Sequence, residues 1–294
     1  AMDESLALAK SVGADLVVAN DPDADRLAVA IPNDAGGGYT MLSGNQIGVI
    51  LGQALLDAHQ GQTVALGTTI VSSRLLSAMA EAYNATYFET LTGFKWIANR
   101  AIELKKQDIK FLMGYEEAIG YTIGDLVRDK DGISALLTFA LLTSKLKSEG
   151  TSVQTYLESI YRRYGLYTTA QKSLSLEPGA DAGALGKLLR QSPPTQIAGK
   201  SIVAISDLLE LKKTFSDGTE EIINLPKSDV LTYYLDNESR IIVRPSGTEP
   251  KLKCYYETIV PIPNEASFTE VQASAEAAMT SLIESHQADL GTLS

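Results

Sequence analysis

Asp21, Asp23 and Asp25 stand at every second position of "VVANDPDADRLAVAI", with Arg26 directly behind them. Three neighbouring carboxylates repel one another, so the cluster costs stability unless a positive group occupies it. In extended backbone, residues two apart point the same way, and the three side chains can converge. Hard oxygen ligands in such a cluster suit Mg²⁺, which takes few protein ligands and keeps room for water and phosphate. A calcium-hand loop does not fit, because its sixth position wants Gly and holds Arg26, and its twelfth wants Glu and holds Pro32. A polar turn with solvated aspartates is the plainer alternative, but turns do not demand three alternating carboxylates.

Four other stretches could carry chemistry. In "IIVRPSGTEPKLKCYYE", a loop with Arg244, Ser246, Gly247, Thr248 and Lys251 lies between two strand-like runs. Backbone N–H groups, two hydroxyls and a guanidinium fork make a phosphate cradle; an ordinary Pro-Ser-Gly turn is the alternative. "MGYEEAIGY" ends an apolar strand, where ligands of parallel sheets usually bind. Glu116 and Glu117 there could accept hydrogen bonds from hydroxyl groups, or be an exposed acidic pair. "LTGFKW" places Thr92, Gly93 and Lys95 at a helix start, and "VRDKDGIS" places Arg128 and Lys130 before another, a natural anion site. His59 and His286 sit in helical stretches among surface-like neighbours and receive no catalytic role. Dinucleotide, nucleophile-elbow and zinc-ligand patterns are missing from the sequence.

The elements that must position these residues can be read from hydrophobic period. Asp3 is placed to cap a short helix that ends at Gly13, and strands flank the aspartate loop. From Ser43, helical and strand patterns alternate: "NQIGVILGQALLDAH", "TVALGTTI", "SRLLSAMAEAY", "ATYFET", "WIANRAIELKK", "IKFLMGYEE". Such alternation implies an α/β domain with a parallel sheet and helices on both faces. Two helices close it. After Gly165 the texture changes to an α+β domain: successive antiparallel strands, a hairpin with Asp217-Gly218 at its turn, and a final helix. The expected divisions are 1–42, 43–165 and 166–294. One helix and two strands bury little core alone, so the first division is expected to be the end of a domain that begins elsewhere.

The 294 residues carry a net charge of −11, which argues against general nucleic-acid binding. No apolar run approaches a membrane span, and no secretory leader is visible. The single Cys254 cannot form an internal disulfide, so a reducing cytoplasm is the simplest location.

In this order, "NDPDADR", "TGFKW", "GYEEAIGY", "VRDKDG" and "RPSGTEPK" resemble the α-D-phosphohexomutase superfamily of phosphoglucomutases, phosphomannomutases and their relatives. The resemblance covers nearly the whole chain. It implies four domains around one cleft, carrying in turn a phosphoserine, a Mg²⁺ loop, a sugar-recognition loop and a phosphate loop. By residue, it makes Asp21, Asp23 and Asp25 the metal ligands and Arg26 an active-site contact beside them. Thr92, Gly93 and Lys95 match the loop that distinguishes the sugar's two orientations, with Lys95 a candidate proton-transfer group. Glu116 matches the glutamate that grips sugar hydroxyls, and Lys130 a basic active-site residue. Arg244, Ser246, Gly247 and Thr248 match the contacts to the non-reacting phosphate. The implied reaction is intramolecular phosphotransfer on a sugar phosphate, through a sugar bisphosphate that also serves as activator.

Two departures qualify that likeness. Ala118 stands where many glucose and mannose members have Ser, and "EEAIGY" looks more like the branch that includes phosphopentomutases and bisphosphate synthases. The family's Ser-His-Asn-Pro run is nowhere in the sequence, and neither Ser72 nor Ser73 has its setting. The expectation is therefore that N-terminal domains of the same protein are missing, and that this chain is inactive alone and binds metal weakly. The rival readings are a haloacid-dehalogenase-type phosphatase with Asp21 as nucleophile, and a non-catalytic sugar-phosphate-binding fragment.

Overall fold

A computed structural model describes residues 2–33, 36–175, 182–245 and 251–291. The chain forms two compact units, Ala1–Tyr164 and Gly165–Ser294.

The first unit opens with helix α1 (Asp3–Val12), which ends where Gly13 adopts the left-handed conformation at φ 65°. Asp3 lies inside the first turn rather than at the cap, which is Met2. It still sits where the helix dipole favours a carboxylate. Strands β1 (Val17–Asn20), β2 (Leu27–Pro32) and β3 (Tyr39–Met41) form an antiparallel sheet in that order. The β1–β2 register pairs Asn20 with Leu27, so residues 21–26 are the hairpin loop.

Helix α2 (Gly44–Ala58) starts at Ser43 with a reciprocal capping box to Gln46. There follow β4 (Val64–Thr69), α3 (Leu75–Ala82), β5 (Thr86–Thr90), α4 (Phe94–Lys105), β6 (Lys110–Glu116), β7 (Gly120–Ile123), α5 (Gly132–Ser148) and α6 (Val153–Tyr164). The second sheet runs β5-β4-β6-β7, with β5, β4 and β6 parallel. All six residues of β4 are buried, as expected of a strand covered on both faces. Adjacent residues of β6 show the two layers. A Cβ added to α2 Gly52 would meet Met113, whereas one added to Gly114 would meet Ile97 of α4. Neighbouring strand residues point to opposite faces, so α2 and α4 cover opposite sides of β6.

Sequence pattern did not separate β7 from the loop. It is four residues long and turns back antiparallel on β6, pairing Glu116 with Gly120. Among the described residues, no helix is long and apolar enough to cross a membrane.

The second unit contains β8 (Leu166–Ser175), α7 (Ala182–Gln191), β9 (Gln196–Ile197), β10 (Lys200–Asp207), β11 (Lys212–Phe215), β12 (Glu220–Ile222), β13 (Leu231–Leu235), β14 (Arg240–Pro245), β15 (Lys251–Val260) and α8 (Phe268–Gly291). Its antiparallel sheet runs β12-β11-β10-β13-β14-β15-β8, with β9 beside β10. The β11–β12 turn uses Asp217 and Gly218 as its sequence suggests, with Gly218 at φ 85° and Asp217 accepting from the Thr219 N–H. Leu185 and Leu189 of α7, with Met279 and Leu282 of α8, complete a core over Tyr233, Ile241, Val243 and Tyr256.

His286 corrects its surface-like reading. It is 3 % exposed, its Nδ1 lies 2.9 Å from the Tyr256 hydroxyl, and burial lowers its pKa to about 4. It is a neutral core residue in an otherwise polar stretch of helix.

Candidate functional site

The aspartate loop is built by the β1–β2 hairpin. Carboxylate oxygens of Asp21, Asp23 and Asp25 all lie within 4.8 Å of one another. Arg26 arranges them from within. Its backbone N–H donates to Asp21 Oδ1 at 3.0 Å, and its Nε and Nη2 each lie 2.6 Å from Asp21 Oδ2. That backbone hydrogen bond, then the guanidinium, lowers the Asp21 pKa to about 2, so this carboxylate stays ionised. Asn20 closes the loop by donating from Nδ2 to the Arg26 carbonyl at 2.6 Å. Ala24 takes the left-handed conformation at φ 58°, which a β-carbon disfavours.

Two basic side chains face these carboxylates. Lys130 Nζ lies 2.6 Å from Asp25 Oδ2, and Arg26 Nε 3.6 Å from Asp25 Oδ1. Burial opposes the charged Lys130 ammonium, yet Asp25 and Asp129 outweigh it and its pKa is raised. Asp25 Oδ1 is nonetheless a buried oxygen without a hydrogen-bond partner among the described residues. Three converging carboxylates, one with a buried oxygen that accepts no hydrogen bond, fit a hard divalent cation.

The loop is joined to the end of the second sheet. Arg26 bridges to Gly120, and the Leu27 N–H donates to the Ile119 carbonyl at 3.1 Å. Ile119, a β-branched residue, is held at φ 59° in the β6–β7 turn. Such backbone persists only where surrounding contacts over-determine it, commonly at functional sites. Glu116, the last residue of β6, accepts the Gly93 N–H on Oε1 at 2.6 Å. Gly93 has φ 113°, which side-chain-bearing residues rarely adopt, so the threonine–glycine step depends on glycine. Thr92 beside it is half-buried.

Phe94 and Lys130 complete the junction. A Cβ added to Gly120 would lie 2.7 Å from Lys130 Cδ and 3.5 Å from Phe94 Cε2. The Lys130 ammonium is 5.9 Å from the Phe94 ring centroid. The aspartate loop, the Gly93 loop, the acidic turn and the residues before α5 therefore form one contiguous cluster within the first unit. Lys95 is not drawn into it. It is exposed in the first turn of α4, with its ammonium 5.0 Å from the Trp96 ring centroid. Among the described residues it makes no ion pair with the aspartates. Arg128 is exposed as well.

Several supporting residues escape sequence reading. Glu117 is no exposed acid: it is half-buried, and Ser72 Oγ donates to its Oε2 at 3.2 Å while accepting from its backbone N–H at 3.1 Å. Burial raises the Glu117 pKa, and repulsion from Glu116 adds to it. Gly44 and Gly132, at the first turns of α2 and α5, meet the site's backbone directly. A Cβ at Gly44 would lie 2.0 Å from the Glu117 carbonyl oxygen, and one at Gly132 would lie 2.4 Å from that of Arg26. Asp131 caps α5 by accepting from the Ile133 and Ser134 N–H groups. The contacts of Glu117, Gly44 and Gly132 cross long sequence distances, and only the Asp131 cap is local.

In the second unit, Arg244 lies near the end of β14, paired in register with Lys253 of β15. Ser246, Gly247 and Thr248 lie outside the described residues.

Comparison with known proteins gives one consistent family. Residues 43–164 match the profile for phosphoglucomutase/phosphomannomutase alpha/beta/alpha domain III, and residues 206–259 match that for the C-terminal domain. A Haemophilus influenzae protein named "Probable phosphomannomutase" is 38 % identical over 267 residues, covering 90 % of this chain and 50 % of its own length. The mouse phosphopentomutase is 38 % identical over 272 residues, covering 87 % of this chain and 44 % of its own. The open form of the Paramecium phosphoglucomutase pp63/parafusin shares the fold with a TM-score of 0.64 at 18 % identity, over 98 % of this chain and 50 % of its own. The chain thus spans about half the length of the curated relatives it matches.

Proposed function

The chain belongs to the phosphoglucomutase/phosphomannomutase family, and on that premise we propose that the whole protein moves a phosphoryl group between two oxygens of one sugar phosphate. The transfer joins the anomeric oxygen and the distal hydroxyl of a hexose, or the pentose equivalent, through a sugar bisphosphate. Residues 1–42 would end the metal-loop domain, 43–165 form the sugar-recognition domain and 166–294 the phosphate-binding domain. A cytoplasmic setting suits the single Cys254, which is buried.

The observation that carries this reading is the convergence of Asp21, Asp23 and Asp25 on a loop bridged to the Glu116 turn. These carboxylates would hold Mg²⁺, which when bound neutralises charge on the phosphoryl group in transfer. Arg26 orients Asp21 and keeps it ionised. Glu116 spends Oε1 on the Gly93 N–H, so Oε2 is the oxygen left for sugar hydroxyls. That same bond fixes the Thr92–Gly93 step beside the sugar. Lys130 would contact the phosphoryl oxygens, and Lys95 would move a proton only if its exposed side chain turns inward. Arg244, with Ser246, Gly247 and Thr248, would hold the phosphate that does not react, reading charge and tetrahedral shape. Asp21 is a poor phosphatase nucleophile, because the Arg26 backbone and guanidinium engage both its oxygens.

These 294 residues supply no evident phosphoryl-donating serine. They contain no Ser-His-Asn-Pro run, and Ser72 and Ser73 are 0 % and 2 % exposed. The chain alone is therefore expected to show no turnover of glucose, mannose or ribose 1-phosphate with Mg²⁺ and the matching bisphosphate. The full-length gene product is expected to interconvert at least one of them. Turnover by the 294-residue chain would overturn the assignment of the donor elsewhere. Failure of the full-length protein on all three sugars would overturn the proposed reaction. Pentose belongs in that test because the pentose and mannose relatives are equally similar, at 38 % identity each.

A further inference from the structure

Lys130 has a place in the cluster that general phosphate binding does not explain. Its ammonium lies 2.6 Å from Asp25 Oδ2, on the same carboxylate whose other oxygen is buried, accepts no hydrogen bond among the described residues and lies 3.6 Å from Arg26 Nε. A second acceptor waits 3.3 Å away at Asp129 Oδ1. The aliphatic stem is fixed, crossing Gly120 where a Cβ would lie 2.7 Å from Cδ. The head is less confined, since the side chain is 25 % exposed. The charge balance is equally specific. Within the loop set, Asp21, Asp23 and Asp25 against Arg26 and Lys130 leave one negative charge, with Asp129 beside Lys130 outside that set. A divalent cation added to that set makes the cluster positive while Lys130 stays, and neutral once it leaves. Arg26 is poorly placed to leave, because its backbone N–H and guanidinium hold Asp21 together.

We propose that Lys130 is the resident counter-cation of the aspartate loop: its ammonium holds Asp25 until a divalent cation takes that carboxylate, and the displaced head then becomes available to the phosphoryl group of the substrate. Metal occupancy and anion binding are thereby coupled through one side chain. The inference rests on the metal reading given above and adds the order of events.

The test uses the full chain and Mn²⁺ or Mg²⁺ as the probe. Lys130→Met keeps the stem over Gly120 and removes the charge. Its Mn²⁺ dissociation constant, measured by calorimetry, is expected to fall about threefold or more, because no internal ion pair needs to be broken. Lys105→Met, which removes an exposed lysine paired with Asp125, serves as the charge control and is expected to leave affinity unchanged. In wild-type chain carrying isotope-labelled lysine, the Lys130 ammonium resonance is expected to be visible without metal, where Asp25 slows proton exchange. Saturating Mg²⁺ is expected to remove it. Equal or weaker Mn²⁺ binding by Lys130→Met, or a Lys130 resonance that persists under Mg²⁺, overturns the proposal and leaves the metal site standing. Absence of saturable Mn²⁺ binding in the wild type overturns the metal reading itself.

Discussion

Gly132→Ala is expected to abolish measurable divalent-cation binding by this chain and to destabilise the first unit by about 1–3 kcal/mol. The added Cβ would lie 2.4 Å from the Arg26 carbonyl oxygen, 2.6 Å from Asn20 Nδ2 and 2.8 Å from the Ala24 carbonyl oxygen. Two of these are backbone atoms of the aspartate loop, so no rotamer change relieves the clash. The third is the amide that closes the loop onto the Arg26 carbonyl. The cheapest escape is to push the loop away from the start of α5, which also draws Arg26 away from Gly120 and Asp25 away from Lys130. Propensity alone predicts the opposite sign, since alanine is the better helix former by about 1 kcal/mol in a helix interior. A thermal melt with a parallel Mn²⁺ titration separates the two. A variant as stable as wild type with unchanged Mn²⁺ affinity would show that the loop does not depend on this approach.

Glu257→Gln is expected to cost roughly 3–5 kcal/mol in the second unit, the magnitude usual when one partner of a buried ion pair is removed. Glu257 and Arg240 are 2 % and 4 % exposed, sit directly opposite on β15 and β14, and approach to 3.5 Å. The substitution conserves volume and removes the charge that faces Arg240 across the two strands. The double variant Arg240→Met/Glu257→Met removes both charges and is expected to be markedly less destabilised than Glu257→Gln. These strands lead into and out of residues 246–250, and the pair closes the far end of their ladder. Denaturant unfolding, read by circular dichroism, gives both values. Loss of less than about 1 kcal/mol for the single variant would mean that solvent or other partners already screen the pair.

The parts of the site visible in sequence were those with a local signal. Alternating aspartates between two apolar runs announced a hairpin loop, and the loop is there with its carboxylates converging. The helix start expected just after Lys130 is there as well, where α5 begins at Gly132. What stayed hidden was contact between distant segments. Ser72 and Glu117 are 45 residues apart, and nothing in "VSSR" or "EEAIG" says that the second acid turns inward to meet a serine. The bridge from Arg26 to Gly120 is equally remote, and it decides that the aspartate loop and the Glu116 turn share a cluster. β7 was missed because four residues give period-two alternation too little length to register. His286 was misread because α8 is polar over much of its length, so its one histidine looked like its neighbours. Lys95 shows the converse. The resemblance makes it a candidate proton-transfer group, and in the structure its ammonium lies 5.0 Å from the Trp96 ring centroid, a placement its neighbours Thr92 and Gly93 do not announce.

The central claim is that Asp21, Asp23 and Asp25 together hold one divalent cation beside the Glu116 turn. Anomalous scattering from crystals of the chain soaked in Mn²⁺ tests it most directly. The expected result is a single strong peak at first-sphere distance, about 2.1 Å, from oxygens of these aspartates, with the peak gone in Asp25→Asn. A strong peak on other residues, or none at saturating Mn²⁺, would contradict it.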